Sequence, residues 1–120
     1  MKVAFTTTGD DLAAPLDRRF GRAPKFLIYD TDTESFEIVD NQQNLNAAQG
    51  AGIQAAETAV RLGVSCVVTG HCGPKAFRVL TAARIGVFSS DAPSVQEALE
   101  RMRLGQLRPL LSADMAGHRA

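Results

Sequence analysis

Apolar positions in this chain recur in two rhythms. Short runs rich in Val, Ile, Phe and Tyr, bounded by Gly, Pro, Asp and Asn, predict strands at "KVAFTT" (2–7), "KFLIYDT" (25–31), "SFEIVDN" (35–41), "SCVVT" (65–69) and "IGVFSS" (85–90). The second and third runs are separated by Asp32-Thr33-Glu34, a hairpin spacing that makes them antiparallel neighbours. "SCVVT" is apolar on both faces, which places it centrally in a sheet. Three- and four-residue recurrences predict helices elsewhere. Ile53, Ala56, Ala59 and Val60 mark one from about Ala51 to Leu62, stopped by Gly63. Ala76, Phe77, Leu80 and Ala83 mark another from about Pro74 to Ala83. "SVQEALERMR" (94–103) makes a third, and Ser94 with Glu97 gives it a capping-box start.

Two polar stretches interrupt this pattern: "TGDDLAAPLDRRFGRAP" (8–24) and "NQQNLNAAQ" (41–49). From Gly105 no period is sustained, so 108–120 is expected to be an irregular tail, with His118 solvated, behind a single domain over 1–107. A hairpin followed by alternating helices and strands implies a three-layer α/β/α sandwich around a mixed five-stranded sheet. Ligands of such sheets sit beyond the carboxyl ends of parallel strands, where strand order reverses. If the first and fourth strands are parallel neighbours, Thr7, Thr8 and Gly9 meet Gly70 to Gly73 at one mouth. The loop from Gly9 to Ala23, with its two glycines, one proline and opposed charges, is expected to bury little apolar area and to order only over a ligand.

Composition narrows the function classes. The 120 residues carry no formal net charge, so nothing global points to nucleic acid or an anionic membrane. The first apolar run is too short for a signal peptide and none is long enough to span a bilayer. A cytoplasmic protein with two reduced thiols, Cys66 and Cys72, is expected.

Candidate chemistry concentrates in "GHCGPKAFR" (70–78). Cys72 and Arg78 have the Cys-x5-Arg spacing of cysteine-dependent phosphatases, where loop amides cradle a thiolate and arginine clamps phosphate. Pro74 opposes this by removing an amide donor, and by favouring a helix start that would put Arg78 in the second turn. Gly73-Pro74-Lys75 does not fit a nucleotide P-loop, since no Ser or Thr follows the lysine. A helix beginning at Pro74 presents amides and a positive dipole end to an anion. Cys72 and His71 stand just before it as a soft and a borderline metal ligand. Two adjacent ligands cannot close a metal site, and the glycines could equally serve only a tight turn. Cys66, inside an apolar strand, reads as an inert core thiol. Arg18, Arg19, Arg22 and Lys25, spaced by Phe20, Gly21 and Pro24, suit an anion-facing flap, although Asp10, Asp11 and Asp17 could neutralise them.

"DRRFGRAPKFLIYD", "GAGIQAAETAVRLGV", "VVTGHCGPKAFRVLTAARIGVF" and "SVQEALERMRLGQL", in that order, resemble the dinitrogenase iron-molybdenum cofactor family over about residues 1 to 107. The length resembles that of its molybdenum–copper "orange protein" branch. The resemblance implies a ribonuclease-H-like fold with sheet order 3-2-1-4-5 and an antiparallel second strand. It also implies non-catalytic binding of a molybdenum–sulfur cluster that contains iron or copper, with cluster-assembly or recipient proteins as partners. Its signature positions here are Phe20, Gly21, Arg22, Gly70, Gly73, Pro74 and Ala76. The two positions between Gly70 and Gly73 are not fixed in the family, so His71 and Cys72 are ligands only if the cluster is held directly. Otherwise charge and hydrogen bonds from Thr7 to Gly9, the Arg19 and Arg22 loop and Gly70 to Lys75 would hold it. Besides a phosphatase, a protein-interaction module without metal is the other class left open.

Overall fold

The computed structural model describes residues 1–41 and 50–110; most of the second polar loop, and the tail with His118, lie outside the described residues. In chain order the elements are β1 (Lys2–Thr7), β2 (Lys25–Asp30), β3 (Ser35–Asp40), α1 (Ala51–Leu62), β4 (Cys66–Thr69), α2 (Pro74–Ala82), β5 (Gly86–Ser89), α3 (Val95–Arg103) and β6 (Arg108–Pro109). They form one mixed sheet in the order β3-β2-β1-β4-β5-β6. The β1–β4 and β4–β5 pairs are parallel; β1–β2, β2–β3 and β5–β6 are antiparallel.

The strands alternate between two cores, as period-2 side chains require. Ala4, Phe26, Ile28 and Val67 face α1 and α2, where Ala55, Ala56, Ala59, Ala76 and Leu80 are buried. Val3, Phe5, Leu27, Tyr29, Cys66 and Val68 face α3, meeting Val95, Ala98 and Leu99. This is the three-layer sandwich expected from the pattern, with the sheet order and antiparallel β2 that the resemblance implies. β1 is joined to β2 on one side and, by way of α1, flanked by β4 on the other. The strand order therefore reverses at the β1/β4 boundary.

Two boundaries differ from the expectation. Asp30 pairs with Ser35, so the hairpin loop is Thr31 to Glu34 instead of the three residues anticipated, and Glu34 takes a left-handed φ of 57°. The stretch after Gly105 is not wholly irregular. Arg108 and Pro109 pair with Ser89 and Phe88, and Leu110 N–H donates to Val87 O at 2.8 Å, adding a sixth, edge strand. Two paired residues are too few to show alternation, and proline is tolerated at a sheet edge. No helix among the described residues is long and apolar enough to cross a membrane.

Candidate functional site: two clefts across a shared ridge

The long loop does not hang free over the sheet. Its segment 15–17 folds back across the end of β1: Thr7 bridges Leu16, Asp17 N–H donates to Thr6 O at 2.8 Å, and Thr6 Oγ1 donates to Asp17 O at 2.6 Å. The chain then runs beside the end of β4. His71 N–H donates to Arg18 O at 2.7 Å and Phe20 N–H to His71 O at 3.2 Å, a short parallel ladder. Only glycine permits this contact at position 70. A Cβ there would lie 2.8 Å from the Arg18 Cα. Gly21 is fixed similarly, since a Cβ would meet the Gly52 Cα at 2.8 Å. Ala14, Leu16, Phe20 and Ala23 are buried, and Phe20 packs against Phe26 with ring centroids 5.8 Å apart. The expectation of a loop with little apolar area to bury is therefore corrected; four apolar side chains and its backbone bonds anchor it.

This ridge separates two clefts, and His71 lines both. The first, of about 470 Å³, is walled by the loop from Arg19 to Arg22, by Gly50–Ile53 at the start of α1, and by Gly73–Ala76 at the start of α2. Two helix N-termini thus open into one space. Neither has a side-chain cap, and neither has an acidic residue in its first turn. The first-turn amides of a helix have no acceptor within it, and they carry the positive end of its dipole. Arg19, Arg22 and Lys75 add three cations, and none of the described residues lining the cleft is acidic. Asp17, itself buried, accepts from Arg19 N–H at 2.9 Å and lies 3.4 Å from its Nε, so the Arg19 head is partly held back. The second cleft, of about 320 Å³, lies on the other side of Gly70 and His71, beyond the carboxyl ends of β4 and β5.

The chain matches the family described as dinitrogenase iron-molybdenum cofactor over residues 1–105. It belongs to that family. Its fold is similar to that of the apo form of the orange protein from Desulfovibrio gigas, with a TM-score of 0.92 and 36% identity, covering 95% of this chain and 96% of that one. It is also similar to a NifB-like protein from Thermotoga, with a TM-score of 0.84 and 33% identity over 97% of this chain and 98% of that one. An uncharacterised protein of Methanocaldococcus jannaschii is 28% identical over 104 residues, which cover 80% of this chain and 87% of that protein.

The positions expected as the family's signature fall around the first cleft and the ridge. Phe20, Gly21, Arg22, Gly73, Pro74 and Ala76 line the first cleft, and Gly70 sits in the ridge. Arg19, His71 and Lys75 also line the first cleft. Thr7, Thr8 and Gly9 line neither cleft. Thr7 is fully buried, with its hydroxyl donating to Pro15 O at 2.7 Å and accepting from Gly9 N–H, because the loop occupies the space beyond β1. Cys72 is not at the mouth either. It is fully buried in the core shared with Phe20, Ala76 and Leu80, so its thiol lines neither cleft. His71 is exposed on the ridge. Arg78 is exposed in the second turn of α2 and lines neither cleft, so Cys72 and Arg78 frame no common pocket. Burial pushes the Cys66 thiol up to about 11. The sequence reading missed Gly50 to Ile53. Their signal was a helix opening on "GAGI" with neither a capping hydroxyl nor an acid.

Proposed function

We propose that this protein binds and carries an anionic molybdenum–sulfur cluster, with iron or copper as second metal, in the first cleft, and performs no catalysis on it. The observation that carries the reading is the convergence, on one cleft, of two helix N-termini without a side-chain cap and of Arg19, Arg22 and Lys75, with no acidic side chain among the described lining residues. A sulfide-rich cluster brings its own inner ligands and spreads its charge over polarizable sulfurs. It needs amide donors, cations and apolar contact more than protein thiolates. Phe20, Ile53 and Pro74 supply that contact. The donor set fits such outer-sphere holding. Among the described residues no group of three or more His, Cys, Asp or Glu side chains gathers to hold a metal ion, and Cys72 is in the core. Family membership supports a role in cofactor handling, with assembly or recipient proteins loading and unloading the cargo.

The test is anaerobic. Tetrathiomolybdate with copper or iron is offered, the protein is desalted, and bound molybdenum and the visible spectrum are measured. Colour should stay with the wild type and with Cys72→Ala. Arg22→Ala should weaken binding by about 10- to 150-fold, the worth of one charge-assisted contact, with a changed dependence on salt. A Cys72→Ala protein that is bare while Arg22→Ala binds like wild type would reverse the reading in favour of a thiolate ligand. Turnover of an aryl phosphate that vanishes in Cys72→Ser would replace the carrier by a phosphatase.

A further inference from the structure

The second cleft has a charge balance of its own. Among the described residues the one acidic lining residue, Asp91, is paired with Arg101 at 2.9 Å, and Arg101 also reaches Glu97 at 2.6 Å. The Arg101 hydrogen bond and charge, with a smaller contribution from the nearby charge of Arg18, hold the Asp91 carboxyl below the usual carboxylate range, so the Asp91–Arg101 pair stays ionised. Arg18, on the ridge, and Arg108, on edge strand β6, both line the cleft. Among the described residues neither guanidinium has a hydrogen bond or an ion pair. Between them lies Ser90, 8% exposed, whose Oγ accepts from Ala92 N–H at 3.1 Å and so keeps its own proton to donate. Gln106 completes the rim with an amide.

We propose that this second cleft is a separate site for a compact tetrahedral oxyanion of the phosphate or phosphate-monoester class. Two guanidiniums and a hydroxyl approaching from different elements suit an acceptor with oxygens in several directions, whereas a planar carboxylate pairs with one guanidinium in a single plane. The volume, near the lower end for small-ligand sites, suits a phosphate group with a short organic stem. The ridge keeps this site apart from the cargo cleft, so it does not depend on the cluster reading.

The test is a titration of the isotope-labelled protein with inorganic phosphate and, separately, with glycerol phosphate, following the amide signals of Ser89, Ser90 and Gln106. Signals at Lys75 and Ala76, across the ridge, are read independently. Saturable shifts at the first set are expected, with an affinity about tenfold or more weaker in Arg18→Ala and in Arg108→Ala. Tighter binding of the ester would assign the site to an organic phosphate, and equal binding to the free ion; both support it. No saturable shift at Ser89 and Ser90, or shifts there unchanged in both arginine variants, overturns it. So does saturable binding of a glutamate-rich peptide in the absence of any phosphate response, which would make the cleft a protein-docking surface.

Discussion

The helices α2 and α3 both begin with first-turn amides that no carbonyl of the helix accepts from, one fewer in α2 because it starts on Pro74, and they treat them in opposite ways. At α3 each of the first three finds an acceptor. Val95 N–H donates to Ala14 O at 2.9 Å, Gln96 N–H to Leu12 O at 2.8 Å, and Glu97 N–H to the Ser94 side chain at 3.1 Å. Glu97 also places a negative charge in the first turn. At α2 the cap is Gly73, the next residue is proline, and the first-turn charge is the cation Lys75. α1 begins like α2, on Gly50 at φ 81°. A cap is worth about 1 kcal/mol, so this fold closes a helix end where the end serves packing. Among the described residues it leaves two ends without a side-chain cap where they share a cleft. In the proposed reading, first-turn amides without a side-chain cap on that wall are donors for the cluster.

Four experiments break or sharpen that contrast. The largest effect is expected from Phe20→Ala, which removes the anchor of the wall facing the open ends and should cost about 3–5 kcal/mol in urea unfolding. A cost below about 1 kcal/mol would mean that the 19–22 segment is not held by its burial. Next, Lys75→Glu makes α2 begin like α3. It should lower cluster affinity by more than about tenfold while raising unfolding free energy by about 0.3–1 kcal/mol, because an acid suits the dipole there. Loss of both stability and binding would show that Lys75 acts through packing. Ser94→Ala should do the reverse, costing about 1 kcal/mol of stability and leaving cluster binding unchanged; a binding defect would tie α3 to the cargo. The smallest effect at neutral pH concerns Cys66, on the α3 side of the sheet. Its folded pKa is raised from 9.0 to about 11, so the contribution of the protonated thiol is intact below about 9 and is lost as pH rises to about 11. The stability of wild type should therefore fall relative to Cys66→Ala across that window. A constant difference would mean that the thiol titrates in the fold as it does in the open chain.

The elements were legible because their signals are local. Period-2 and period-3.6 patterning, the Ser94–Glu97 spacing and Gly63 at a left-handed φ of 71° each speak within a few residues. The cleft was half legible. "FGRAP" and "GPKAF" marked two of its walls, but the third, Gly50 to Ile53, announces itself only by what it lacks. Thr7 and Cys72 were misplaced for one physical reason. Both sit beside strand ends, and whether a strand-end side chain faces a mouth or a plug depends on where a distant segment lies. Here segment 15–20 fills the space over β1, and Phe20 closes the core around Cys72. No short-range pattern carries that information. β6 was invisible because two residues of strand have no period.

The walls of the first cleft come from residues 19–22, 50–53 and 71 with 73–76, three segments far apart in the chain that meet only in the folded structure. A cargo held there binds across three segments that the unfolded chain does not bring together, so it favours the folded state. By linkage, occupancy at one hundred times the dissociation constant would deepen the folded basin by about 2.7 kcal/mol. That changes the fraction of molecules open to a protease by about a hundredfold. A carrier built this way has a lifetime set by its load: full, it resists degradation, and once emptied it becomes the more readily recycled form. Comparing proteolysis half-lives of the loaded and empty protein would measure that difference, and equal half-lives would dissolve it.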